Sequence, residues 1–349
     1  MREQVRTMVE RTINAQERLL YLDVVKIVMV FSFIISHVAS FSMHYSIYWN
    51  TGCFILFSGY LSGKTINRKH VRFSHGLQRC MRLLLSGVLY LFIMIAIDVA
   101  GHSTKPIYSG LREASLYISI FVYIGLFYLV LPCLSSCKNK TSMALTVFAV
   151  ITTAGYMSVF LPHRSLPEIV RLFFYGNSYS LHHYPILSFL SLGFLGFAYA
   201  HFESKFRWLS FSAFPIIILC YAIILLVRRH IFVVEIERAP MLLFYSIFSL
   251  AVFAGLIVGS RVVTPLISTH KRMVVFITNS SRYTLWFFLL HQPLAMAAKH
   301  FFSFENHSRG MAIDAPVAVL SAFLLFMILY FLIDHTIARI PYPVKRFIL

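Results

Sequence analysis

The sequence predicts an all-α polytopic membrane protein of about ten transmembrane helices with both termini cytoplasmic. Three observations carry that reading. Hydrophobic residues fill 58% of the 349 positions and charged residues only 13%, against about 25% charged in ordinary soluble domains. The apolar residues fall in blocks of about 17–23, the length of helix that crosses a hydrocarbon core of ~30 Å. The cations lie between those blocks with a bias. Twenty-one of the 31 Lys and Arg fall in segments on the side of the N-terminus, nine in the alternate segments, and Lys26 within a block. Short loops rich in Lys and Arg stay cytoplasmic, so both ends are expected inside.

The blocks lie near 20–42, 46–63, 83–100, 114–134, 143–161, 183–200, 209–227, 241–259, 283–299 and 316–333. Helix is expected throughout, because an open strand cannot satisfy its backbone in lipid and no alternating ten-residue pattern occurs. The segment before the first block, "MREQVRTMVERTINAQER" (1–18), is charged and has neither the apolar core nor the cleavage site of a secretory signal. The first block is therefore expected to be retained as a helix. The second is short and rich in glycine and serine. An inner segment, "KTINRKHVRFSHGLQRCMR", carries six Lys and Arg and no acid, as a topology determinant should. The outer connection from Pro162 to Pro185 contains a single acid, Glu168, with His163, His182 and His183. It suits a re-entrant or interfacial piece. Residues 335–349 form a cytoplasmic tail, and without a linker or internal repeat the chain reads as one membrane domain, 1–349. Cys53, Cys80, Cys133, Cys137 and Cys220 lie in or beside apolar blocks and lack zinc-like spacing. They are expected to be buried structural thiols, and no metal site is expected. The net charge of +18 is accounted for by the topology bias, so a nucleic-acid partner is not expected.

The first block, "LLYLDVVKIVMVFSFIISHVASF", contains three residues that lipid does not favour: Asp23, Lys26 and His37. On a helix, Lys26 and His37 are about 16 Å apart and about 20° beyond three full turns. Asp23 lies one turn below Lys26, so the three form a polar stripe. Polar groups at membrane depth usually face a bundle interior or a watery path and serve transport or chemistry. The bland alternative is an interfacial Asp23–Lys26 pair, with Lys26 snorkelling and His37 as a neutral core residue. Imidazole exchanges its proton near neutral pH, which suits a general base for acyl transfer or a proton relay in a transporter.

"YLDVVKIVMVFSFIISHV" resembles the opening helix of the transmembrane acyltransferase-3 family, through Tyr21-Leu22-Asp23, Lys26 and His37. "CFILFSGYLSGK" is similar to the family's second-helix segment through Phe57, Ser58, Gly59 and Tyr60. Arg79-Cys80-Met81-Arg82 matches its Arg-x-x-Arg pair. "SSRYTLWFFLLHQP" is similar to its late motif through His291 and Pro293, with Ser281, Thr284 and Phe288 where the family has Gly, Ser and Tyr. The resemblance is strongest over 18–90 and 278–295. The related membrane acyltransferases that acetylate the amino group of terminal glucosamine share much of the pattern, so the acceptor atom is open between oxygen and nitrogen.

The resemblance implies a bacterial inner-membrane enzyme that moves an acetyl or similar acyl group from cytoplasmic acetyl-CoA to a hydroxyl of an envelope polysaccharide or lipid-linked glycan. It implies a catalytic set of His37, Lys26 and Asp23, with Asp23 organising Lys26. The donor would be held by Arg79, Arg82 and Lys26, since arginine grips phosphate oxygens in bidentate fashion. Candidate substrate contacts are Ser58, Glu168 and His291. Ser58 and Gly59 also suit close helix approach, and His291 precedes a proline whose missing N–H leaves a carbonyl to be capped. There is no Gly-rich phosphate loop. A transporter or flippase of lipid-linked saccharide, using the same stripe as its pathway, is the alternative.

Overall fold

A computed structural model describes residues 20–35, 50–66, 72–100, 107–158, 186–203, 212–220, 222, 242–291 and 311–339. Among them the secondary structure is helical, with no strand. The helices are α1 (20–35), α2 (Asn50–Ile66), α3 (Phe73–Ala100), α4 (Ile107–Ser136), α5 (Lys140–Ser158), α6 (Ile186–Phe202) and α7 (212–220). They continue with α8 (Leu242–Ser268), α9 (Lys271–Arg282), α10 (284–291) and α11 (Met311–Arg339).

Among the described residues, three stretches are long and apolar enough to cross a membrane: Phe73–Ile93, Tyr245–Ser268 and Val319–Thr336. Their outer faces show the solvent they are made for. On α3 the exposed side chains include Phe73, Leu77, Met81, Leu85 and Phe92, and on α11 Leu320, Phe323, Leu324, Phe331 and Leu332. The spacing of about four residues makes each set one continuous face of its helix. Apolar faces of this extent mark a membrane protein, because soluble monomers rarely leave such contiguous patches in water.

Helix ends depart from the apolar blocks where polar turns continue the helix. α3 starts at Phe73, within the basic segment, and its first turn is tied by the N–H groups of His75 and Gly76 donating to the Arg72 carbonyl. α9, "KRMVVFITNSSR", has too little apolar length to count as a span and was not among the expected elements. It stays helical by burying Ile277, Ser280 and Ser281. Among the described cysteines, Cys53, Cys80 and Cys220 are buried, but Cys133 is exposed, which corrects the expectation of five buried thiols. It lies on the outside of α4, where an apolar thiol costs nothing to leave facing lipid.

The helices group into two compact units, 1–48 with 255–349 and 49–254, so that α8 contributes to both. In the first, α1 packs Val30 and Ile34 against Phe287 of α10 and Ala322, Phe326 and Leu329 of α11. The rings of Phe287 and Phe326 stack there at 4.6 Å. Leu20 joins Ile267 and Ile277 in a smaller cluster that seats α9 beside the start of α1.

In the second unit, Phe127 and Leu131 of α4, Ala144 of α5 and Phe194 and Phe197 of α6 form the core. α2 and α6 touch backbone to backbone. A Cβ on Gly59 would overlap the Gly193 carbonyl, and one on Gly196 would overlap that of Leu56. In lipid, helices associate through such close packing rather than by excluding water. Gly196→Ala is expected to lower stability by about 1–2 kcal/mol through overpacking. Gly259→Ala, where nothing lies within 4 Å of the added methyl, should be neutral. Thermal unfolding of both variants in detergent checks this, and equal melting temperatures would disprove the seam.

Candidate functional site

The polar start of α1 is built from two helices. Ile277 is buried with Leu20 in the small apolar cluster, and Ser281 follows it by one turn on the same face of α9. This register delivers the Ser281 hydroxyl to Asp23, to which it donates a hydrogen bond. Lys26, three residues along α1, places its ammonium 3.7 Å from the same carboxylate oxygen. Arg282 adds a second cation within electrostatic reach of Asp23. Beside the pair, the Arg261 guanidinium lies 4.8 Å from the centre of the Tyr21 ring. Asp23 thus faces a protein neighbour, with only 19% of its side chain accessible, and holds Lys26 at 27%. The Asp23–Lys26 contact is present, and it is the contact that both the organising role and the plain ion pair require. His37, the third member of the stripe, lies outside the described residues, as does Glu168.

His291, the last described residue of α10, is 3% exposed. Its Nδ1 lies 2.7 Å from the Phe288 carbonyl and 3.1 Å from that of Phe287. These are not the carbonyl of Leu289, four residues before Pro293, which the proline would leave bare. The ring packs beside Phe288, at 5.4 Å, and Phe33 of α1, at 6.1 Å.

The second unit holds the other candidates. Arg79, exposed on α3, lies over the ring of Tyr128 on α4, 5.2 Å from its centre, a favourable cation–π position. The Tyr128 hydroxyl accepts a hydrogen bond from Ser58 of α2 at 3.4 Å. The structure therefore joins Arg79 and Ser58 through a tyrosine that the sequence did not single out. Tyr128 also backs onto α3: Pro132 cannot donate to its carbonyl, and a Cβ on Gly76 would come within 2.5 Å of that oxygen. Arg82 is half-buried one turn beyond Arg79.

A second polar group in this unit was missed altogether. Glu203, at the end of α6, is 5% exposed. It accepts a hydrogen bond from Tyr60 of α2 at 2.7 Å and pairs with Lys64 at 2.7 Å, both on Oε2. The Lys64 ammonium also lies 5.2 Å from the centre of the Tyr60 ring. One signal was available. Glu203 is the sole acid in the segment "HFESKFRW", and a lone carboxylate among cations at a helix end invites a partner.

Among the described residues, no group of three or more His, Cys, Asp and Glu is placed to hold a metal ion. Asp23, Lys26, Ser281 and His291 thus belong to one unit, and Arg79, Tyr128, Ser58, Tyr60, Lys64 and Glu203 to the other. No family model, curated protein or solved structure matches the chain.

Proposed function

We propose that the chain is a membrane acyltransferase that moves an acetyl or similar group from a cytoplasmic acyl-CoA to a hydroxyl of an envelope polysaccharide or glycolipid. In this reading it crosses the bacterial inner membrane about ten times, with both ends in the cytoplasm. The observation that carries the proposal is the Asp23–Lys26 pair fixed by Ser281. A purely interfacial lysine would snorkel into the headgroups with no need of a partner helix. Here its carboxylate is held by a hydroxyl from α9, so the polar face of α1 is turned to protein.

The chemistry follows from the residue types. Arg79, steadied on Tyr128, and Arg82 supply guanidinium groups for the donor's phosphates, with Lys26 as a further cation. His37, on the same predicted stripe, either accepts the acyl group or removes the acceptor's proton, two roles open to imidazole. The ordered resemblance of the motifs at both ends of the chain supports the enzyme over a transporter.

The test is direct. Purified protein incubated with labelled acetyl-CoA and candidate envelope glycans should yield labelled glycan by mass spectrometry. Saccharide movement across proteoliposomes without acetyl-CoA consumption would replace the proposal with the transporter reading.

A further inference from the structure

We infer that α9 is a lipid-binding helix whose outward face, through Lys271 and Arg272, docks on the headgroups of anionic phospholipids. The inference goes beyond the acyl-transfer reading and does not depend on it. It requires only that α8 spans the bilayer.

Register divides α9 into two faces. At about 100° per residue, Ile277, Ser280 and Ser281 share one side, and all three are buried. Ile277 packs there with Leu20 and Ile267, and Ser281 donates its hydrogen bond to Asp23. Lys271, Val275 and Arg282 fall within about 40° of one another on the other side, with Arg272 at its edge, and all four are exposed. α9 thus turns its apolar side to protein and its cations outward. An interfacial helix standing alone does the opposite with its apolar side, which enters the acyl chains. What this outward face offers a membrane is charge.

Depth points to the occupant. The apolar stretch Tyr245–Ser268 has 24 residues, about 36 Å of helix against a hydrocarbon core of ~30 Å, so its end reaches the headgroup layer. Val262 and Leu266, one turn apart near that end, are exposed, as side chains against acyl tails should be. Only Thr269 and His270 separate α8 from α9, a reach of at most about 11 Å. The connection is tight: the His270 N–H donates to the Ile267 carbonyl at 2.9 Å, and the Val274 N–H to that of His270 at 3.1 Å. Lys271 and Arg272 therefore start α9 at headgroup level, where their long stems let the charged ends settle among phosphates.

Charge selects the kind of lipid. α8 and α9 hold Arg261, Lys271, Arg272 and Arg282 and no acid, and the nearest acids along the chain are Glu237 and Glu305. Arg282 lies in the field of Asp23, so the preference is assigned to Lys271 and Arg272. A zwitterionic headgroup brings its own cation beside the phosphate. An anionic one does not, and it is the better complement to this face.

The test reads lipid contact at α9 itself. Val275→Trp puts a fluorophore on the outward face, and the emission it adds to that of the three native tryptophans is followed in proteoliposomes of phosphatidylcholine and phosphatidylglycerol. One lipid at a time carries bromine near the headgroup end of its acyl chains, at equal mole fraction. Quenching is expected to show a preference for phosphatidylglycerol of at least about fivefold, the worth of one cation near an anionic surface. Adding Lys271→Gln and Arg272→Gln should bring the ratio to about one, with the melting temperature close to wild type. Equal quenching by the two lipids before the cations are removed, or a preference that survives their removal, would overturn the inference. So would no quenching by either lipid, which would give the face to a protein partner. If Val275→Trp fails to fold, native mass spectrometry of the wild-type chain and of Lys271→Gln with Arg272→Gln decides alone. The wild-type chain must then retain phosphatidylglycerol at least about fivefold better. Neither readout involves acyl transfer, so their failure and the failure of the acyltransferase reading are told apart.

Discussion

A His37→Ala variant, present in membranes at the wild-type level, is expected to lose acyl transfer by a factor of about 10²–10⁴, the usual contribution of a positioned acid, base or nucleophile. An imidazole well inside an apolar block is uncommon because lipid disfavours it, and a structural role could be filled by many cheaper side chains. On an ideal helix, a spacing of eleven residues from Lys26 corresponds to about 16 Å and to within about 20° of the same face. The described part of that face is turned toward α9, where Ser281 holds Asp23. A phosphate-bearing donor held at Lys26 would thus point its thin arm along the stripe. The measurement is labelled acetyl transfer per unit of membrane protein. Undiminished transfer by His37→Ala would remove the residue from the chemistry. On the proposed function, which gives Lys26 a part in holding the donor, Lys26→Met should instead raise the donor KM more than it lowers kcat.

Lys64→Met should give the largest loss of stability, roughly 2–3 kcal/mol, somewhat below the ~3–5 kcal/mol of a broken fully buried pair. The carboxylate of Glu203 is buried and takes both Tyr60 and Lys64 on one oxygen. Removing the ammonium takes the cation from Oε2 of that buried carboxylate, where the Tyr60 hydroxyl remains. The discount reflects Lys64 itself, 38% of whose side chain is accessible. Methionine keeps the length and apolar stem, so the effect isolates the charge. Adding Glu203→Gln should recover part of the loss, since the amide retains an acceptor for Tyr60 and no longer needs a cation. Chemical unfolding in detergent of the two single variants and the double variant measures the coupling. Simple additivity would show that the pair is not a unit.

How far the sequence could be read depended on range. The all-helical class and the placement of α2, α4, α5, α6 and α8 followed from apolar length, which is a local quantity. The start of α3 within "RFSHGLQRCMR" did not, because hydropathy is blind to polar turns that remain helical. α9 was hidden for the same reason, although its Ser281 proved to be the partner of Asp23. The Asp23–Lys26 contact was legible since three residues on a helix are neighbours. Ser281 is 258 residues from Asp23, and Tyr128 is 70 from Ser58. Pairings over such distances are set by packing, on which single-sequence periodicity is silent. The partners of Glu203 come from another helix, so nothing along the chain beside it announces them.

The aliphatic faces of α3 and α11 invert a habit of protein engineering. In a water-soluble enzyme the periphery is the permissive place for a charge, and the interior the forbidding one. Here Phe323, Leu324 and Leu332 are exposed, yet an aspartate or lysine at the bilayer centre adds about 2.5–3.5 kcal/mol to the cost of insertion. Labels, solubilising charges and tags belong at the ends of this molecule's helices, and its broad outer flanks are where sequence freedom is least polar.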